Sequence, residues 1–191
     1  MSDKALYAGV ARADITPPVG LPLLHPLRET VATSVEAPLT ATALVVSDGA
    51  QLTAIIACDL IYVRGEFADR LRARVAERIE TSTDRVLINC SHTHAVVPMP
   101  GWESPNRPAN EPLRRYYAYL EEALAGVAYA ALQRLAPARM AAGRGRVRIG
   151  VNRRERLPDG RIILGENPDK PVDEDVTVLR LDHLDGSPLA L

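Results

Sequence analysis

The chain has 191 residues, of which 47% are hydrophobic and 25% charged, and its formal net charge is −1. This length fits one ordinary domain, and the composition is typical of a globular protein. A nearly balanced charge argues against a nucleic-acid-binding protein, which normally carries a basic excess. No apolar run approaches the roughly 18 residues of a membrane-spanning helix, and the N-terminus lacks the apolar core of a secretory signal. We therefore expect a cytoplasmic protein with no transmembrane segment.

The first third of the chain predicts strands. The stretch "ALYAGVARADI" alternates as a strand does and ends at the turn-forming "TPPVGLP". A β-hairpin is predicted over residues 41–59, where Asp48 and Gly49 supply the turn between two apolar, β-branched runs. The second of these runs is apolar almost throughout, as in a strand that is covered on both faces.

Helices and strands alternate in the middle of the chain. Residues 65–80 predict an amphipathic helix with one apolar stripe, formed by Phe67, Leu71, Val75 and Ile79. The next run, "DRVLINC", predicts a strand, and the proline-rich residues 95–112 predict a long loop of the kind that is often functional or disordered. Asn110 is a suitable cap for a second helix that has Pro112 in its first turn.

The C-terminal part predicts a second β-hairpin, over residues 175–191, with Asp185 and Gly186 in its turn. Alternation of helices, strands and hairpins indicates an α/β fold with a mixed β-sheet and packed helices. The last apolar strand stops without a turn or a polar tail, which would leave an exposed edge. We therefore expect residues 1–191 to be a single α/β domain that forms the N-terminal portion of a longer catalytic domain.

Two of the four histidines stand one residue apart in "INCSHTHAVVP". If the preceding strand continued through them, His92 and His94 would project from one face and Thr93 from the other. Two imidazoles on one face can bind a single zinc ion. The spacing describes solvated histidines equally well, because zinc needs three or four ligands. Asp59 ends the neighbouring strand, where it is either a solvated carboxylate or a partner that orients a histidine.

The remaining histidines and the cysteines have simpler interpretations. His25 lies in a proline-rich loop and His183 beside a turn, so both are expected to be ordinary surface residues. Cys58 and Cys90 each lie in an apolar run and show no CxxC spacing, so they are expected to be small core residues in a reducing compartment.

In chain order, the stretches "GVARADITPPVGLPL", "TALVVSDG", "VLINCSHTHAVVP", "GVNRR" and "NPDKPVDEDVTVLRLDHLDGSPLAL" resemble the N-terminal catalytic region of the neutral ceramidase family. These enzymes are zinc-dependent amide hydrolases. The resemblance implies that His92 is a ligand of Zn²⁺, and that His94 contacts substrate or water in the same cleft. It implies that Arg153 is the active-site arginine, which holds an oxyanion or a substrate oxygen.

The substrate that the resemblance implies is a small-molecule N-acyl amide or a sphingolipid-like lipid, hydrolysed to an amine and a carboxylate. One departure concerns the loop after the histidines, where "AVVPMP" replaces the family's Ser-Gly-Pro-Gly-like stretch. The family's other zinc ligands, a second histidine, a glutamate and a tyrosine, come later in its chains and have no counterpart in these 191 residues.

Three functional hypotheses remain at this stage. The first is a zinc-dependent amide hydrolase of ceramidase type, completed by ligands outside these residues. The second is a non-catalytic binding or structural domain that has the same scaffold and an incomplete metal site. The third is a homo-oligomer in which another copy completes the metal site across an interface.

Overall fold

The computed structural model describes residues 5–24, 30–101 and 110–190. These residues form nine strands and two α-helices, with bounds β1 Tyr7–Asp14, β2 Thr40–Ser47, β3 Leu52–Cys58, α1 Gly65–Arg78, β4 Val86–Cys90, α2 Glu111–Leu132, β5 Ala136–Arg146, β6 Asn152–Arg156, β7 Ile162–Asn167, β8 Asp175–His183 and β9 Pro188–Ala190. Seven strands form one sheet in the order β4-β3-β2-β1-β5-β8-β9, and β6 pairs with β7 in a second sheet. The β3–β4 pair is parallel and the other pairs are antiparallel. The predicted α/β fold with a mixed sheet is confirmed.

Both predicted hairpins are present. In the first, β2 and β3 pair from Ser47↔Leu52 to Ala41↔Cys58. Its turn uses Gly49 at a φ of 89°, a left-handed conformation that glycine adopts without a steric penalty. The second hairpin joins β8 to the three-residue strand β9.

The main hydrophobic core lies between the two helices and one face of strands β1 to β4. The predicted stripe of α1 is confirmed, since all four of its apolar residues are buried. Helix α2 begins as predicted, because the Asn110 side chain accepts a hydrogen bond of 3.0 Å from the backbone N–H of Leu113. The C-terminal end of α2 lies so close to β1 that only glycine fits at position 9: a Cβ there would stand 2.2 Å from the carbonyl oxygen of Ala131.

The pairing between β1 and β5 is short. Only two register pairs join these strands, Tyr7↔Pro137 and Ala8↔Ala136. A small second core, made by Ala8, Ala138 and Leu181, lies at this junction. Beyond it, β5 and β8 continue as a two-stranded ribbon whose apolar side chains are open to solvent, with Met140 56% exposed. Among the described residues, no helix has the length and apolar character needed to cross a membrane.

Candidate functional site

The two clustered histidines lie in the loop that follows β4, because this strand already ends at Cys90. The prediction that the pair continues a strand is therefore wrong. The backbone turns over the end of β3: the N–H of His92 donates to the carbonyl of Leu60 at 3.0 Å, and His92 takes a φ of 60°. This left-handed conformation is uncommon for a residue other than glycine. The rings nevertheless come together, with the centroids of His92 and His94 5.2 Å apart in an edge-to-face arrangement.

The ring of His92 is held by the loop after β3. Its Nδ1 lies 2.8 Å from the carbonyl oxygen of Ile61. Because a carbonyl oxygen can only accept, Nδ1 must carry the proton in this contact, and the lone pair of the neutral ring is then on Nε2. His92 is an exposed residue. This arrangement suits a metal ligand, since ligating histidines commonly donate their other ring N–H to a carbonyl or carboxylate.

Asp59 has a different role from either of the two considered above. Its Oδ2 accepts hydrogen bonds from the N–H of Thr40 at 2.9 Å and from the Thr40 hydroxyl at 3.0 Å. The Thr40 N–H lowers the pKa of the Asp59 carboxyl, with the Ser91 hydroxyl and Arg12 adding smaller effects in the same direction. Asp59 therefore fixes the start of β2 beside the end of β3, and it does not orient a histidine.

The segment after the histidines is anchored in the core. Val96, Val97 and Met99 are fully buried. The Tyr117 hydroxyl of α2 donates to the carbonyl of Pro98 at 2.6 Å, and the N–H of Leu24 donates to the carbonyl of Val96 at 2.7 Å. Residues 95–101 of the predicted long loop are thus packed against the rest of the domain, and residues 102–109 lie outside the described residues. This anchoring limits the positions that the exposed side chain of His94 can reach.

The two cysteines stand side by side just below the histidine loop. Cys58 and Cys90 are register partners on the parallel strands β3 and β4. Cys58 is buried and Cys90 is half-buried, and neither forms a disulfide. The Cys58 thiol donates to the carbonyl of Asn89 at 3.4 Å. The interaction between the two thiols raises the pKa of Cys58 and lowers that of Cys90, and burial raises the pKa of Cys58 further. The prediction that both are small residues at the core is consistent with these positions.

The other predicted site residues are not part of the histidine cluster. Arg153 lies on β6 in the separate two-stranded sheet, and its Nε donates to the carbonyl of Gly165 at 2.6 Å. Its role as an oxyanion-binding residue stays a prediction. His183 ends β8 and is half-buried, and His25 lies outside the described residues.

A groove elsewhere in the structure does not coincide with this cluster. A groove of about 560 Å³ opens between the segment after β1, which includes Pro18 and Leu21, and the first turns of α2, which include Tyr116. The Tyr116 hydroxyl is used structurally, since it donates to the carbonyl of Ile15 at 2.6 Å. None of the predicted site residues lines this groove. The histidine cluster is therefore kept as the candidate site.

The histidines could supply part of a zinc site. Nitrogen ligands suit Zn²⁺, and Nε2 of His92 is available for one bond. Within residues 5–24, 30–101 and 110–190, however, no group of three or more His, Cys, Asp or Glu side chains is placed to hold a metal ion. The described residues can therefore supply one or two of the four ligands of a tetrahedral zinc site.

Sequence reasoning missed two features of this site. The contact between His92 and the carbonyl of Ile61 uses a backbone atom, which no residue pattern reveals. The pairing of Asp59 with Thr40 joins residues 19 apart in sequence, although the predicted hairpin already placed them at the same end of adjacent strands. The hairpin register was the signal that could have found this second contact.

Two solved structures share this fold. A crystal structure of neutral ceramidase from Pseudomonas aeruginosa matches with a TM-score of 0.73 and 17% sequence identity, covering 98% of this chain and 31% of that one. A structure of ceramidase complexed with C2 matches with a TM-score of 0.72 and 19% identity, covering 97% of this chain and 30% of that one. No family model and no curated protein matches the sequence. The resemblance to ceramidases is thus confirmed for the fold, and the chain spans just under a third of the length of these structures.

Proposed function

We propose, from this shared fold, that the chain is the N-terminal portion of a zinc-dependent amide hydrolase of ceramidase type. The substrate would be an N-acyl amide or a sphingolipid-like lipid, and the products an amine and a carboxylate. The observation that carries the proposal is the fixed ring of His92, whose Nδ1 donates to the carbonyl of Ile61 and whose Nε2 is left for a ligand. Location in the cytoplasm stays a prediction.

Each residue of the proposed site has a defined task. His92 would hold the metal through Nε2, in an orientation set by the Ile61 carbonyl. A zinc ion there would supply Lewis-acid activation of water and of the scissile carbonyl. His94 has its ring 5.2 Å from that of His92, so it would contact substrate or water at the same position. Arg153 would stabilise negative charge on the substrate oxygen. The remaining metal ligands would come from outside the described residues.

Zinc titration of a ceramidase-length protein that contains this region tests the proposal, because the described residues supply one or two of the four ligands that zinc takes. We expect one zinc ion per chain in calorimetric titration, and a loss of affinity of about tenfold or more in His92→Ala. His183→Ala is the matched control, because it removes a histidine from the end of β8 and should leave the affinity unchanged. Imidazole ¹⁵N spectra provide an independent readout: His92 should be the Nδ1–H tautomer before zinc is added. Equal zinc affinities in all three proteins would contradict the role of His92.

The non-catalytic alternative is favoured by one observation, the lack of a third metal-binding side chain near the histidines in the described residues. It predicts that no zinc binds even to a ceramidase-length protein that contains this region. The two proposals separate when a ceramidase-length protein containing this region is assayed on N-acyl amides. Hydrolysis that disappears in His92→Ala and persists in His183→Ala supports the enzyme. Absence of both zinc and hydrolysis in that longer protein supports the binding or structural domain.

A further inference from the structure

We propose that Cys58 and Cys90 form a thiol-oxidation site, in which a low-molecular-weight disulfide converts the two thiols into one intramolecular disulfide. The bond would join the C-terminal ends of β3 and β4, directly below the loop that carries the histidine pair. This proposal does not depend on zinc binding or on hydrolase activity.

The geometry of the strand pair brings the cysteines within bonding range. Cys58 and Cys90 are direct partners in the parallel register of β3 and β4. Neighbouring strands lie about 4.8 Å apart, and disulfides join residues whose Cα atoms are about 4.4–6.8 Å apart. Direct partners also project from the same face of a sheet. Here that face carries the main core, of which Cys58 is a member and against which Cys90 packs.

The two thiols differ in access to solvent, which sets the order of reaction. Cys58 is only 3% exposed, whereas Cys90 is half-buried at the last position of β4. A soluble disulfide can therefore meet Cys90 at the rim of the core, and Cys58 is reached only from Cys90.

The reaction balances as two successive thiol–disulfide exchanges. The Cys90 thiol gives up its proton, and its sulfur bonds to one sulfur of the small disulfide while the S–S bond of that molecule breaks. The departing sulfur takes a proton and leaves as a small thiol. The Cys58 sulfur, after losing its own proton, then bonds to the Cys90 sulfur and releases the second small thiol in the same way. The two cysteines are oxidised by two electrons in total, and one small disulfide is reduced to two thiols.

The bond would tie together the base of the histidine loop. The carbonyl of Cys58 already accepts a hydrogen bond of 3.0 Å from the N–H of Ser91, one residue after Cys90. A disulfide would add a covalent link beside this hydrogen bond. It would stabilise the pairing of β3 with β4 at the end of the sheet from which the histidine loop begins.

Oxidised glutathione is the probe for the test. We expect the folded wild-type chain to lose both titratable thiols and the mass of two hydrogen atoms, and to yield one peptide pair linked between Cys58 and Cys90. Dithiothreitol should restore both thiols. In Cys58→Ala the reaction should stop at one glutathione adduct on Cys90, and Cys90→Ala should stay unmodified. Circular dichroism establishes that each variant is folded before it is treated.

The wild-type protein alone can overturn the proposal. Two free thiols after prolonged treatment would contradict it, and so would a lasting glutathione adduct on Cys90 or a disulfide between two chains. An adduct on Cys58 in Cys90→Ala would contradict the proposed order of attack. None of these outcomes depends on activity, so failure here is distinct from failure of the proposed hydrolase.

Discussion

Replacement of Gly9 by alanine tests how tightly the end of α2 packs on the sheet. An added Cβ would lie 2.2 Å from the carbonyl oxygen of Ala131, 2.8 Å from the carbonyl carbon of Arg134 and 2.9 Å from the amide nitrogen of Leu135. All three are backbone atoms, so no side-chain rotation can relieve the overlap. The last turn of α2 and the residues just after it would have to move by about 1 Å to restore ordinary van der Waals contact.

The free energy of unfolding should fall substantially. Overpacking a well-packed core costs about 1–3 kcal/mol, and the overlap with three backbone atoms places Gly9→Ala at the upper end of this range. The move would also strain the hydrogen bond of 3.2 Å that Arg134 donates to the carbonyl of Val10. For a chain of this size, about 3 kcal/mol corresponds to a fall in Tm of about 6–12 °C.

Gly126→Ala is the matched control, because it makes the same chemical change in the same helix. Gly126 is exposed, and a Cβ there would meet no atom within 4 Å. Alanine is more stable than glycine inside a helix by about 0.5–1 kcal/mol, so this variant should melt slightly above the wild type. Urea unfolding followed by circular dichroism gives both differences on one scale. If Gly9→Ala is as stable as Gly126→Ala, the close approach of α2 to β1 is refuted.

Two further changes probe the hydrogen bonds of the site and of the second helix. Thr40 lowers the pKa of the Asp59 carboxyl in the folded state. The Asp59 carboxylate therefore stabilises the fold at pH values above the carboxyl pKa of the unfolded chain, which is about 4. This stabilisation is lost as the pH falls through the lower pKa of the folded state. Asp59→Asn should therefore be less stable than wild type near neutral pH, with a difference in urea midpoint that shrinks in acid; a difference that is constant with pH would contradict this. Asn110→Ala removes the acceptor for the N–H of Leu113 and should cost about 1 kcal/mol in urea unfolding, whereas Asn110→Asp keeps an acceptor and should cost little.

Local chemistry made much of this fold predictable from the sequence. The stripe of α1 and the turn at Gly49 each depend on residues within a few positions of one another, and both are present. The cap at Asn110 belongs to the same class, since its partner is three residues away. In such elements, the pattern of side chains and the hydrogen bonds that satisfy it lie in one short stretch of chain.

The sequence predicted which histidines belong to the candidate site, but it did not predict their backbone conformation or their hydrogen bonds. The sequence draws attention to His92 and His94, yet the conformation of His92 depends on backbone carbonyls of Leu60 and Ile61, about thirty residues earlier. These contacts arise only when the parallel register of β3 and β4 is known. A sequence pattern records side chains, so it could not show that a backbone oxygen sets the tautomer of the ring.

The short pairing of β1 with β5 separates the residues of the proposed site into two groups. The main core and both histidines belong to the part built on β1 to β4, whereas Arg153 lies on β6, after the ribbon strand β5. The two parts are joined by two register pairs, by a hydrogen bond of 2.9 Å from the N–H of Ala138 to the carbonyl of Leu6, and by the small core of Ala8, Ala138 and Leu181. The separation of Arg153 from the histidines therefore depends on how these few contacts pack. A substitution at Ala8 or Ala138 could alter it without touching any residue of the site.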